Sequence, residues 1–284
     1  MIFVLKTKIA TVIHITLLCT FLLYVFPSFA NNSSYKPARI AIIIDDIGAK
    51  ASDAKAFSLS KEVTFSILPH TNYSTEFSYW ASQQNREVML HMPMESLHKD
   101  NLGPGPILAN MYPAQVKSAL LNALETVPHA VGVNNHMGSK LTQMTLQMNS
   151  LMQVLETNNL FFVDSRTTKF TKASIIAHKM GVKSASRHIF LDHVQTEAFL
   201  EQQFDKLIKR AQRSGKAIGI AHPYPVTLAF LNKKLASLPS NVEIITVSEY
   251  LNEKNKFRVN PRLAMHESKS SELRDLSVSR VAPQ

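Results

Sequence analysis

The stretch Arg39-Ile40-Ala41-Ile42-Ile43-Ile44-Asp45-Asp46-Ile47-Gly48 runs from an isoleucine-rich apolar segment straight into two adjacent carboxylates and a glycine. The apolar part is too short for a helix of its own and reads as a strand buried on both faces. Asp is poor in strands and costly to bury, so two in a row at the end of such a strand are not packing residues. At the C-terminal end of a parallel strand they lie where α/β folds place their chemistry. The competing reading is a turn in which Asp-Asp-Ile-Gly caps the next helix.

Working outward, further strand-like runs follow at Val63–Leu68, Glu87–His91, Ala130–Asn134, Leu160–Asp164, Val182–Ala185, Ala217–Ala221 and Val242–Val247. Helical patterns lie between them, at Ala51–Ser60, Thr75–Asn85, Pro113–Thr126, Met144–Asn158, Thr171–Met180, Gln195–Ser214 and Val226–Ala236. Pro113 suits a first helical position, and Gly181 and Gly215 suit positions just past a helix end. Strands separated by such helices imply βαβ units and a parallel sheet. The count predicts a (β/α) barrel of seven or eight parallel strands. An open doubly wound sheet also fits the alternation, but no Gly-x-Gly-x-x-Gly turn follows the first strand. The irregular stretch Leu97–Met111, with Gly103-Pro104-Gly105-Pro106 inside it, reads as a loop across the top.

The flanks differ from this body. Lys6 and Lys8 precede an apolar run from Ile9 to Phe26, and Pro27-Ser28-Phe29-Ala30 offers small residues for cleavage after Ala30. Residues 1–30 are therefore expected to be a signal peptide that exports the protein to the periplasm or cell envelope. A retained anchor is the alternative. Residues 31–37 read as a linker, 38–251 as the domain, and 252–284, polar and short of large apolar groups, as a disordered tail. The chain of 284 residues has one cysteine, Cys19, inside the apolar leader. No disulfide or thiol chemistry is expected of the mature chain. The net charge is +10, but Lys and Arg are scattered. The charge reads as a surface and solubility term rather than a nucleic-acid footprint.

Polar residues collect just past the apolar runs: Asp45-Asp46, Pro69-His70, His91 with Glu95, Asn134-Asn135-His136, Asp164-Ser165-Arg166, Ser186-Arg187-His188 and His222-Pro223-Tyr224-Pro225. In a (β/α) barrel all of these share one face, where ligands bind. The mixture of His and Asp suits a divalent metal, zinc first among them. One carboxylate with two further His or Glu ligands is a catalytic zinc arrangement that acidifies water. The neighbouring carboxylate is then free to take a proton, and a His across the site to give one.

At these motifs the chain resembles the divergent polysaccharide deacetylases, a carbohydrate esterase-like family with a distorted (β/α) barrel. The resemblance spans residues 38–251. It rests on the ordered set Ile-Asp-Asp-Ile-Gly at 44–48, Phe-Ser-Ile-Leu-Pro at 65–69, Leu-His-Met-Pro-Met-Glu at 90–95, Gly-Val-Asn-Asn-His-Met-Gly-Ser at 132–139, Phe-Val-Asp-Ser at 162–165, Phe-Leu-Asp at 190–192 and Ala-His-Pro-Tyr-Pro at 221–225. It implies Asp45 as catalytic base, Asp46 as metal ligand and His222 as catalytic acid. The remaining ligands are His91 with either His136 or Glu95, His136 being preferred. Asp164, Arg166 and Asn135 join Glu95 as additional candidates around the site, and Asp192 recurs without an assigned role. The pattern departs from ordinary members in two places. Their His-x-x-x-His-Pro motif is here His91-x-x-x-Glu95, and their Arg-x-Pro-Tyr motif is missing near Asn134-Asn135-His136.

The resulting expectation is an exported metal-dependent deacetylase that removes acetyl groups from a polysaccharide or peptidoglycan-like envelope glycan. Two rivals use the same residues. One is a catalytically inactive protein that binds a glycan or an envelope partner through the same cleft. The other is a glycoside hydrolase using Asp45 with Glu95 or Asp164, which requires a defined carboxylate separation.

Overall fold

The computed structural model describes residues 36–98 and 101–252. The expected leader at 1–30, residues 31–35 of the linker and the tail from 253 lie outside the described residues. Among the described residues, no helix is long and apolar enough to cross a membrane.

Among the described residues, nine strands form one parallel sheet: β1 (Ala38–Ile47), β2 (Thr64–Ile67), β3 (Val88–Met94), β4 (Ala130–Met137), β5 (Phe161–Asp164), β6 (Ser184–Ser186), β7 (Ile189–Phe190), β8 (Lys216–Ala221) and β9 (Val242–Ile244). Their order is β6-β5-β4-β3-β2-β1-β8-β7, with β9 also paired to β1. The helices between them are α1 (Ser74–Gln83), α2 (Pro113–Thr126), α3 (Thr145–Thr157), α4 (Ala173–Lys179), α5 (Glu197–Ser214), α6 (Pro225–Leu235) and the short α7 (Val247–Tyr250). The expected helix at Ala51–Ser60 is a 3-10 segment, Ala51–Ser58. Strand β7 was not expected from sequence, being two residues long and followed by a polar turn.

β6 and β7 give the sheet its curl. They are one stretch of chain, separated only by Arg187 and His188. The Arg187 amide donates to the Asp164 carbonyl of β5, and the next amide, His188, donates to the Ile218 carbonyl of β8. One kinked segment thus spans both free edges of the sheet, and the strands curl into a barrel with a thin seam.

Strand parity builds two apolar layers. Ile40, Ile42 and Ile44 of β1 pack with Phe65, Phe77, Leu120, Leu151 and Leu207 between the sheet and the helices. Ala41 and Ile43 point the other way, into a smaller cluster with Met89, Phe161, Val163, Ile218 and Ile220. That smaller cluster is the plug inside the barrel, as alternation along a strand requires. Gly132 belongs to the inner row because a Cβ there would come within 2.2 Å of the Phe161 ring.

Below the plug lies a buried acid, Glu87. Its carboxylate accepts from Thr64 Oγ1 at 2.8 Å, from the Val247 amide at 2.8 Å and from the Ser248 amide at 3.0 Å. It therefore anchors the first turn of α7 beneath the barrel. Above the plug the same inner rows continue as polar residues.

Candidate metal centre and catalytic cleft

Extending the inner rows by two residues toward the C-terminal ends of the strands gives the site. Ala41 and Ile43 lead to Asp45, Met89 leads to His91, Gly132 leads to Asn134 and His136, and Ile218 and Ile220 lead to His222. Asp46 has the wrong parity and in a flat strand would face the helices. The register of β1 against β2 slips by one residue between Ile44 and Ile47, and Asp46 takes φ 61°. This bulge with a left-handed residue turns the second carboxylate back to the first. The turn reading of the pair does not describe the molecule. The following segment is capped by Asp53, whose Oδ2 accepts from the amides of Gly48 at 3.2 Å and Lys50 at 2.9 Å.

Three atoms meet at the centre. Asp46 Oδ1 lies 3.2 Å from His91 Nε2 and 3.0 Å from His136 Nδ1, and those two nitrogens are 3.2 Å apart. Neighbouring side chains fix what His91 presents. The Asp45 carboxylate can only accept, so the Asn134 amide nitrogen faces it, at 2.8 Å. The Asn134 carbonyl oxygen then faces His91 Nδ1 at 2.7 Å and Ser66 Oγ at 2.6 Å, and both must donate to it. With its proton on Nδ1, neutral His91 offers a lone pair at Nε2. Asp46 Oδ1 is buried and has no hydrogen-bond donor of its own.

This arrangement fits a divalent cation. Asp46, His91 and His136 are the group of potential ligands found among the described residues, with ligand atoms within 4.8 Å of one another. Ligands about 2.0–2.1 Å from a tetrahedral zinc are about 3.3–3.4 Å apart, close to the observed triangle. Burial alone pushes the Asp46 carboxyl up, but the close His136 and His91 rings, which favour its charged form, hold it well below the usual carboxylate range. For His91, burial favours the neutral ring, and the Asp45 and Asp46 carboxylates outweigh it and raise the pKa. The site thus favours positive charge among these three groups, which a bound cation supplies.

Asp45 and His222 flank this centre. Asp45 is buried, lines the cleft and accepts from the Asn134 side-chain amide at Oδ1; no described residue bonds Oδ2. His222 Nε2 points toward Asp46 Oδ2 at 3.8 Å. Its Nδ1 donates to Asp192 Oδ1 at 3.0 Å, while Asp192 Oδ2 accepts from the His222 amide at 2.6 Å and from Thr227 Oγ1 at 3.1 Å. Burial disfavours the charged ring, but the hydrogen bond and charge of Asp192, with Asp46 and Asp45 behind it, push the His222 pKa up to about 9. Asp192, left without a role by the sequence, orients His222 and stabilises its protonated form. Asp45, His91, His136 and His222 line a cleft of about 200 Å³ together with Ser165, Arg187 and Phe190.

The additional candidates fall elsewhere. Glu95 is held by Lys140 Nζ at 2.5 Å and the Ala109 amide at 2.5 Å, outside the three-residue cluster. Both interactions lower its pKa, Lys140 first. It ties the 101–112 loop and the segment after β4 to β3, since its own carbonyl accepts from the Lys140 and Leu141 amides. Asp164 continues the outer row of β5. Its two oxygens accept from the Arg166 amide at 2.8 Å and Thr171 Oγ1 at 2.9 Å, and burial pushes its carboxyl up. Arg166 takes φ 50° in that turn. Asn135 lines the cleft and accepts from the Ser165 amide at 2.9 Å. Sequence reasoning gave no role to Ser66, Asn134, Ser165 or Arg187. All lie on inner rows, so strand parity is the signal that finds them.

Comparison with known proteins agrees with this architecture. Residues 42–251 match the family model described as divergent polysaccharide deacetylase. The chain is 35% identical over 225 residues to the uncharacterized protein YibQ of Escherichia coli (strain K12), covering 79% of this chain and 70% of that protein. It is 36% identical over 223 residues to an uncharacterized protein of Haemophilus influenzae, covering 78% and 80% of the two. Its fold is similar to that of the uncharacterized protein ATU2773 from Agrobacterium tumefaciens C58, with a TM-score of 0.73 and 24% identity over 76% of this chain and 89% of that one.

Proposed function

Because this chain belongs to the divergent polysaccharide deacetylase family, we propose that it is a divalent-metal-dependent hydrolase that removes acetyl groups from a glycan. The observation that carries the reading is the triangle of Asp46 Oδ1, His91 Nε2 and His136 Nδ1, with an unligated carboxylate on one side and a histidine on the other. Asp46, His91 and His136 hold the ion, zinc by donor type. When bound, it polarises the acetyl carbonyl and acidifies water in the cleft.

The chain's own residues divide the proton work. Asp45 Oδ2 takes a proton from the attacking water as its oxygen bonds to the acetyl carbon. His222, held protonated by Asp192, gives the proton on Nε2 to the departing nitrogen or oxygen as the bond to the acetyl carbon breaks. Acetate and the free amine or alcohol result. Asn134 links Asp45 to His91, so the base and the ligand are positioned together.

Export is part of the proposal. The charged start, the apolar run to Phe26 and the small residues before Ala30 support a cleaved leader and a glycan of the cell envelope as substrate. The test is acetate release from an N-acetylated glucosamine oligomer by zinc-loaded protein, with Asp45→Asn as the control. Release by the wild type and a loss of about 10²–10⁴-fold in the variant is expected. Saturable glycan binding with no acetate release at any metal loading sinks the enzymatic reading in favour of a binding protein.

A further inference from the structure

We propose that the cleft also contains an anion subsite, built on Arg187 and Ser165, that recognises a carboxylate on the sugar carrying the acetyl group or on its neighbour. This rests on the deacetylase reading above and names the substrate class more closely, as an acidic rather than a neutral glycan.

Arg187 sits on the barrel seam, and its side chain lines the cleft within the same wall as His222 and Asp45. It is fixed from behind. Nε donates to the Ser165 carbonyl at 2.7 Å, Nη2 donates to the Arg166 carbonyl at 3.1 Å, and the guanidinium lies 4.9 Å above the Phe190 ring. Those contacts use one edge of the fork and one face. Among the described residues, no carboxylate forms an ion pair with it and no acceptor is found for Nη1. Burial works against its charge, and Asp45 and Asp164 act on it only at longer range. A half-buried guanidinium that is held from behind at a cleft wall, with no ion-pair partner among the described residues, is placed to receive an anion.

Ser165 is an independent sign. It is the inner-row residue above Phe161 and Val163, and it is only 6% exposed. Its amide is taken by Asn135 Oδ1 and its carbonyl by Arg187, but its Oγ is buried without a partner at the cleft wall. A rigid guanidinium and an unpartnered hydroxyl on adjacent backbone form a receptor for a carboxylate, whose two oxygens accept from both. A neutral sugar hydroxyl matches the pair less well, because it leaves the charge uncompensated. If Arg187 served only to hold the β5–α4 turn, its two backbone contacts would suffice and the cleft would not distinguish charged from neutral sugars.

The test is binding of paired probes to the zinc-loaded full chain by calorimetry. One probe is an acetylated disaccharide with a lactyl-ether carboxylate, as in N-acetylglucosamine linked to N-acetylmuramic acid. The other is an acetylated disaccharide containing a hexuronic acid. Each is compared with its own carboxamide. The carboxylate of at least one probe is expected to bind about tenfold or more tightly than its amide, and which probe does so identifies the source of the acid group. The ratio falls to near one in Arg187→Gln and falls by a smaller factor in Ser165→Ala. Equal affinity of acid and amide in the wild type for both probes overturns the subsite, and needs no variant to fold. So does an undiminished preference in Arg187→Gln. Acetate release separates the two proposals. Equal turnover of acid and amide probes keeps the deacetylase and removes the subsite. A clear acid preference in binding without acetate release keeps the subsite and removes the deacetylase.

Discussion

Glu87 beneath the barrel plug is a buried carboxylate, whereas Asp46 above it buries only Oδ1 and keeps 31% of its side chain exposed, and the two are satisfied in opposite ways. Every neighbour of Glu87 is a donor: a threonine hydroxyl and the amides of Val247 and Ser248. Asp46 Oδ1 instead faces two imidazole nitrogens, one of which has its proton committed to Asn134 on the far side of the ring. Burial pushes the Glu87 carboxyl up and its donors pull against it, whereas the Asp46 carboxyl is held low by its histidines despite burial. A buried acid surrounded by donors is a structural brace. An acid whose buried oxygen has no donor and faces the lone pair of His91 is suited to share a cation.

The contrast is broken most strongly at the mouth. Asp46→Ala is expected to cost on the order of 3–5 kcal/mol of zinc binding, one ligand's share of a site, while leaving the unfolding temperature of the chelator-treated protein unchanged or raised. Zinc titration and thermal unfolding with and without chelator read the two halves of that statement. Glu87→Ala should do the reverse. Leaving the Val247 and Ser248 amides without an acceptor is expected to destabilise the fold by about 2–4 kcal/mol, seen in denaturant unfolding, with zinc affinity per folded molecule unaltered.

Two smaller effects sharpen the picture of the mouth. Asn134→Leu removes the group that fixes the His91 proton on Nδ1, and a 10–100-fold loss of zinc affinity is expected. The same variant tests whether Asp45 and His91 are coupled, because a double variant with Asp45→Asn should then show non-additive loss. Asp192→Asn removes the charge that stabilises protonated His222. The alkaline limb of kcat/KM, where His222 loses its proton, is expected to move to lower pH, since the raised pKa falls back toward the ordinary value of a histidine. An unmoved limb would mean that another group supplies the proton.

Much of this was legible from the amino-acid sequence, for identifiable reasons. Short apolar runs ending in Asp, His or Asn mark strands that enter one mouth, and helices of seven to eighteen residues between most of them impose parallel pairing. The barrel class and the gathering of Asp45, Asp46, His91, His136 and His222 at one mouth follow from that pattern, while the family follows from the resemblance carried by the ordered motifs. What stayed hidden depends on backbone detail or long-range contact. Nothing in Ile-Asp-Asp-Ile announces that Asp46 adopts φ 61° and turns inward. Glu95 sits four residues after His91, which suggested a ligand pair, yet the chain leaves the strand and the carboxylate meets Lys140 and Ala109. Asp164 ends a strand as Asp45 does, but on the opposite parity, so it caps a turn. Asp192 reaches His222 across 30 positions, and β7 is too short to show a pattern.

The central claim is that the mouth of this barrel holds one divalent ion between Asp46 Oδ1, His91 Nε2 and His136 Nδ1. The most direct measurement is anomalous diffraction at the zinc edge from crystals of the zinc-loaded protein. A single strong peak within about 2.0–2.2 Å of those three atoms is the result expected. A peak elsewhere, or none with the three side chains in their present places, would contradict it.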